Sequence, residues 1–202
     1  MEKRPRIIIA ICLVLSIISI GYILSVKGKP QTGKTGYPLP LAIAKPPQEI
    51  SVGSPDGNWT LTMKEEKNKE TISYRFLISN NDDIFNKEIF AKILSSTDAL
   101  SIPANTFSPD DKYVFLIETG LNGDAYFVLS VSGESISGNI QTLDISGLFA
   151  AKYQDYKITD VTGWGGVGLV VINTDKASGG VGPSFWFEVP SGVFVKLSNR
   201  LN

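Results

Sequence analysis

The sequence predicts an all-β domain built from internal repeats and carried behind one N-terminal transmembrane helix. Three observations predict it. Residues 7–26, IIIAICLVLSIISIGYILSV, run for twenty positions without a charge. From about residue 49 the chain breaks into short apolar or alternating runs separated by Gly, Asn, Asp, Ser and Pro, the pattern of strands joined by turns. A turn-and-strand string then recurs: SPDGNWTLTM begins at Ser54 and SPDDKYVFLI at Ser108, an offset of 108 − 54 = 54 residues.

The first element follows from length and charge. Twenty apolar residues make a helix of about 30 Å, the thickness of a bilayer core. Lys3, Arg4 and Arg6 precede it, and a positive flank stays cytoplasmic and sends the following chain across the membrane. Lys27, Lys29 and Lys34 on the far side reduce that asymmetry. Ser19-Ile20-Gly21 offers small residues for signal-peptide cleavage, but the apolar run continues through Tyr22, Ile23 and Leu24, which favours an uncleaved signal anchor. Cys12 follows Ile9-Ala10-Ile11 and lacks the small residue that precedes a lipidated cysteine. The expected organisation is a cytoplasmic tail 1–6, a transmembrane helix 7–26, a Pro-rich linker 27–48 and an extracytoplasmic β-repeat domain 49–202, periplasmic or at the cell surface.

The linker contains a lure. GKPQTGKT, Gly28 to Thr35, satisfies the phosphate-cradling pattern of Gly, four residues, Gly, Lys and Ser or Thr. That pattern works when a strand precedes it and a helix follows, aiming backbone N–H groups at phosphates. Here a membrane span precedes it, and Pro30, Pro38, Pro40, Pro46 and Pro47 favour an extended spacer over a helix. Nucleotide binding is not expected.

Composition narrows the chemistry further. Cys12 is the single cysteine, so the β domain forms no internal disulfide and no thiolate metal site. The chain has no histidine, which removes Ser-His-Asp and Cys-His catalysis and the usual zinc sites. From residue 46 onward 12 Lys and Arg face 19 Asp and Glu, a formal charge of 12 − 19 = −7. Such a domain repels phosphate backbones, and no nucleic-acid partner is expected.

Strands are expected at NWTLTMK (58–64), ISYRFLIS (72–79), KYVFLIE (112–118), AYFVLSVS (125–132), GLVVIN (168–173), SFWFEV (184–189) and VFVKLS (193–198), with SPDG, LNGD and VPSG as turns. DDIFNKEIFAKIL, 82–94, is open between a helix, with Ile84, Phe85, Ile89 and Ile93 near one face, and a strand. Adding 54 to Ser108 lands on Thr162 in VTGWGGVGLVVI, where a glycine turn replaces Ser-Pro-Asp. Each copy continues to a second strand ending in a turn (YRFLISNND, YFVLSVSGE, FWFEVPSGV) and a closing strand near EIFAKIL, NIQTL and VFVKLS.

This order resembles the TolB-type β-propeller repeat, related in architecture to WD-repeat blades. Phe107 to Ile117, FSPDDKYVFLI, matches that family's aromatic, Ser-Pro-Asp-Gly, Lys and apolar strand; Ser54 to Gly57 supplies the closest copy of the turn. The resemblance covers about residues 49–199 in three copies and implies three four-stranded blade-like sheets. Rings close with about four to eight blades. Three would therefore be completed by a second copy into a six-bladed homodimer, or would pack differently, a β-sandwich included.

Other motifs have structural readings. VFLIE, Val114 to Glu118, imitates the acid-ended strand that holds magnesium in nucleotide hydrolases, but the repeat already accounts for it. GWGGVG, Gly163 to Gly168, satisfies the dinucleotide pattern yet precedes a strand; it reads as a glycine-rich turn carrying a packed Trp164. The loop NTDKASGGVGPS, 173–184, is longer than a hairpin needs. Asn80 to Asp83 and the Asp110–Asp111 pair offer oxygen ligands without the spacing of a calcium loop. No residue is assigned as catalytic, cofactor-binding or metal-binding, and no cofactor is expected. The resemblance implies a non-enzymatic module that binds a protein partner or scaffolds at the cell envelope. A carboxylate-based hydrolase or carbohydrate-active domain and a ligand-sensing ectodomain are the alternatives.

Overall fold

The computed structural model describes residues 47–82 and 86–201. The tail 1–6, the span 7–26 and the GKPQTGKT string lie outside the described residues. Among the described residues no helix is long and apolar enough to cross a membrane. Lys45–Asn202 forms one compact unit.

Among the described residues twelve strands build three four-stranded antiparallel sheets, each a meander in chain order. The first holds β1 (Gln48–Gly53), β2 (Trp59–Lys67), β3 (Thr71–Asn80) and β4 (Lys87–Ser95). The second holds β5 (Ala99–Ser101), β6 (Tyr113–Gly120), β7 (Gly123–Ser130) and β8 (Thr142–Asp144). The third holds β9 (Tyr156–Gly166), β10 (Leu169–Lys176), β11 (Phe185–Glu188) and β12 (Val193–Lys196). The expected all-β class and the three four-stranded sheets are present. No sheet closes into a barrel.

Period-two alternation stacks the sheets. On β6, Val114 and Leu116 join the core shared with the first sheet, where Leu61, Met63, Tyr74 and Phe76 are buried. Their neighbour Phe115 points the other way, into the core shared with Val170, Ile172, Phe185 and Phe187 of the third sheet. β7 repeats the division, with Phe127 and Leu129 in one core and Tyr126 and Val128 in the other. The second sheet is therefore buried on both faces. The far face of the first sheet carries ion pairs and hydroxyls beside the exposed Ile93: ladder partners Glu49 and Lys64 form an ion pair at 2.8 Å, Arg75 pairs with Glu88 at 2.6 Å, and the Ser51 and Thr62 hydroxyls share a hydrogen bond at 2.9 Å.

Residues 82–94 resolve toward the strand. Asp83, Ile84 and Phe85 lie outside the described residues, while Lys87–Ser95 pairs with β3. A register shift beside Leu77 lets Phe90 pair with Phe76 and turns Ile89 toward the core, leaving Ile93 exposed. The β-bulge breaks strict alternation and puts Ile89 and Ile93, four residues apart, on opposite faces of the strand.

Three differences from expectation have local causes. Each copy begins with a strand absent from the expected set, β1, β5 and β9. The closing strand of the second copy is Thr142–Asp144, at the end of NIQTL, because Ile136, Ser137 and Ile140 form a separate small turn with Ile136 N donating to Ile140 O. The single helix among the described residues, α1 (Ile145–Lys152), follows directly. Asp144 caps it, accepting from Gly147 N at 2.8 Å. Its Phe149 seals the second core edge-on to Phe185 and Phe194, with centroids 5.0 and 5.4 Å away.

The glycine run corrects two expectations together. Gly163 to Gly166 lie inside β9, and the turn is Val167-Gly168, with Gly166 directly opposite Leu169. Equivalent ladder pairs are Trp59 with Asn80, Tyr113 with Ser130 and Leu169 with Glu188. The offsets are therefore 113 − 59 = 54 and 169 − 113 = 56, so the third copy is displaced by two residues from the expected Thr162 register. Three register shifts along β9 and β10 absorb the irregularity. Gly163, with φ +120°, stands at one of them, and the Asn105 side chain occupies the space a Cβ would need.

Candidate recognition surface at the Ser-Pro-Asp turns

The two Ser-Pro-Asp turns share their hydrogen bonds as well as their letters. Ser54 N donates to Trp59 O at 2.8 Å and Ser108 N to Tyr113 O at 2.8 Å. In return Trp59 N donates to Ser54 Oγ at 2.9 Å and Tyr113 N to Ser108 Oγ at 3.0 Å. Each serine hydroxyl donates to the aspartate two residues on, Ser54 to Asp56 at 2.6 Å and Ser108 to Asp110 at 2.8 Å. Both serines are buried, so these bonds satisfy groups that would otherwise be costly. The fourth residue of each turn has positive φ, Gly57 at 76° and Asp111 at 54°.

Stacking the first two sheets brings the turns together. A pocket of about 360 Å³ opens there, lined among others by Trp59, Asp110, Asp111, Lys112, Tyr113, Ser130 and Ser132. Asp111 Oδ1 is buried without a hydrogen-bond donor. Burial, then the neighbouring Asp56 carboxylate, pushes the Asp111 carboxyl above the ordinary aspartate value. Asp56 is held low, first by the Ser54 hydroxyl and then by the Asn58 amide. Desolvation raises Asp110, but the bonds from Ser108 and Lys112 outweigh it and leave its carboxyl below the usual value. The two facing carboxyls are thus displaced in opposite directions, Asp111 upward and Asp56 downward.

The aromatics beside the pocket tie sheets together, as their place after each turn suggests. Trp59 packs on the core between the first two sheets. Tyr113 stacks on Trp164 of the third sheet at 6.3 Å, and Trp164 also meets Phe115 edge-on at 6.1 Å and donates its Nε1–H to Thr106 O at 3.1 Å. The packed Trp164 of the glycine-rich motif is present, on a strand.

Other singled-out residues have structural partners. Glu118, the acid ending VFLIE, accepts from Lys92 of β4 across the first two sheets, and the Lys92 ammonium also sits 4.6 Å from the Phe127 ring centroid. Asn80 Oδ1 accepts from Asp82 N at 3.0 Å, a turn bond, and Asn81 Nδ2 donates to Gly57 O; Asp83 lies outside the described residues. In the 173–184 segment, buried Asn173 accepts from Ser184 Oγ and the Thr174 hydroxyl donates to Pro183 O at 2.6 Å, fastening both ends of the loop. Among the described residues no three His, Cys, Asp or Glu side chains form a group that could hold a metal ion.

The pocket thus brings together two aromatic rings, serines, the Lys112 cation and two carboxyls whose values are displaced in opposite directions. Sequence reading singled out Asp110 and Asp111, but not the Asp56–Asp111 meeting, whose signal was present in the paired turns; Ser130 and Ser132 carried none. No family model, curated protein or solved structure matches this chain.

Proposed function

We propose that the chain is a membrane-anchored extracytoplasmic module whose three sheets are blades of TolB-like or WD-like type, and that it binds a protein partner at the cell envelope through the turn-end pocket. The observation that carries this reading is the pocket between the paired turns, where Trp59 and Tyr113 flank hydroxyls and carboxyls. Partly buried aromatics beside polar groups are the usual anchors of protein recognition. The twenty-residue apolar run at 7–26 supports anchoring. The Glu49–Lys64 and Arg75–Glu88 ion pairs on the far face of the first sheet favour an open stack over a ring completed by a second copy, since ring closure would desolvate them.

The test is site-specific photo-crosslinking of the full chain in its native membrane. Probes at Ser132 or Trp59 are expected to give a discrete adduct that a probe at Thr62, on the far face of the first sheet, does not. Equal labelling at the two places, or none at the pocket, overturns the assignment. Orientation is tested separately by adding protease to intact cells or spheroplasts, where the domain is expected to be cut.

One observation favours a second reading, carboxylate-based hydrolysis: a pocket whose two acids are pushed in opposite directions. Against it, Asp56 and Asp110 make the same turn bonds in both copies, as structural residues would. Hydrolysis of glycosidic or peptide model substrates that disappears in Asp111→Asn would establish it in place of the binding role.

A further inference from the structure

The far end of the third sheet holds a feature that the pocket between the turns does not use. A cavity of about 350 Å³ is lined by Lys176, Lys196, Arg200, Ser198 and Asn199, with the glycine-rich loop after β10 forming its rim at Gly182. All the charged lining residues are cationic, in a domain whose formal charge is −7 from residue 46 onward. One of the three has a carboxylate partner: Arg200 Nη1 donates to Asp175 at 3.1 Å. Lys196 Nζ donates instead to the neutral Tyr156 hydroxyl at 2.6 Å and lies 4.6 Å from the centre of that ring. Lys176 forms no ion pair among the described residues.

The convergence is built by the fold. Lys176 is the ladder partner of Tyr156, and Lys196 is the partner of Phe185, on which the Tyr156 ring packs edge-on at 5.7 Å. Both lysines therefore come from the same side of β9, Lys176 from the adjacent β10 and Lys196 from β12, whose ammonium reaches back to the Tyr156 hydroxyl. The C-terminal segment then returns over the sheet, with Leu201 N donating to Ser184 Oγ at 2.7 Å, and this delivers Arg200 to the same mouth. Like charges brought together repel unless an anion accompanies them. Counting Asp175, the group carries 3 − 1 = +2.

We propose that this cavity binds one phosphate ester. Arg200 is already oriented by Asp175, the ammonium groups of Lys176 and Lys196 supply charge-assisted donors, and Ser198 and Asn199 supply neutral ones. The volume admits a phosphate with a substituent the size of glycerol. A lipid headgroup and a soluble phosphate ester share this chemistry.

The full chain in neutral detergent is titrated with inorganic phosphate, followed by thermal unfolding and by 31P line width at constant ionic strength. A saturable rise in Tm is expected, with chloride giving none. Lys176→Gln is expected to weaken binding roughly tenfold without touching the Tyr156 packing, and Lys176→Gln with Lys196→Gln to abolish it. Lys69→Gln, in the turn between β2 and β3 of the first sheet, leaves it intact. Absence of saturable binding, or equal affinity in the double variant, overturns the proposal. If dihexanoylphosphatidylglycerol binds more tightly than glycerol phosphate, the site takes a headgroup; the reverse order assigns it to a soluble ester. These readouts are independent of crosslinking at the turn pocket.

Discussion

Asp111 stands in the second sheet where Gly57 stands in the first, at the close of the same hydrogen-bonded turn and in the same left-handed backbone region, φ 54° against 76°. An L side chain there costs about 1 kcal/mol or more relative to glycine. Asp111→Gly also removes a carboxyl pressed against Asp56. The variant is expected to be more stable than the parent by about 1 kcal/mol, with Tm raised by a few degrees. Thermal unfolding of the full chain checks it, and a lower Tm would show that the side chain holds the two turns together.

The same pair makes stability depend on pH with a defined sign. Asp111 has its carboxyl value raised on folding, so its contribution is present below the ordinary aspartate value of 3.8 and is lost as pH rises through the raised one. Asp56 is depressed, so its contribution is present above 3.8 and is lost as pH falls through the lowered value. Asp111→Asn keeps a donor toward Asp56 at every pH. The variant is expected to match the parent below pH 3.8 and exceed it at neutral pH, measured as Tm against pH. A gap that is constant across pH would deny that folding raises the Asp111 value.

Gly163 tests the reading of the glycine-rich string as structure. Alanine there meets both an unfavourable φ and the Asn105 amide, whose Nδ2 donates to Thr162 O at 2.8 Å. Gly163→Ala is expected to destabilise by about 2–3 kcal/mol, whereas Gly57→Ala, with nothing near its Cβ position, costs only the φ penalty of about 1 kcal/mol. Chemical denaturation of both variants gives the comparison.

Lys92 and Glu118 bind the first sheet to the second. Lys92→Met leaves a part-buried carboxylate without its cation and is expected to cost about 2–3 kcal/mol. Lys92→Met with Glu118→Gln is expected to recover most of that loss, because the uncompensated charge is gone. A double variant as unstable as the single would place the cost in lost packing on Phe127.

Much of this architecture was legible in the chain, where local chemistry and tertiary packing agree. The strands after each turn and their partners are short apolar runs bounded by turn residues, and Ser54 and Ser108 with their aspartates specify a turn by bonds confined to six residues. β1, β5 and β9 were missed because their pairing is supplied by a neighbour: Ala99–Ser101 is three residues long, and β9 carries glycines where strands usually carry branched side chains. α1 was missed although Asp144 marked its start, because eight residues are too few for a helical period to declare itself. At the pocket, Asp110 and Asp111 were visible as letters. The opposite displacement of their values was not, since it depends on burial and on Asp56 arriving from another sheet. The basic cavity joins residues from β10, β12 and the C-terminal segment, a convergence that sequence order conceals.

The alternation of Val114, Phe115 and Leu116 leaves the second sheet without an outside, and this bears on how the domain comes apart. Opening either core exposes one face of β6 and β7, so neither outer sheet can detach without stripping apolar surface from the middle one. The amides of Leu116 and Val128 should consequently exchange with solvent only on global unfolding, while those of Gln48–Gly53, at the margin of the first sheet, exchange through local fraying.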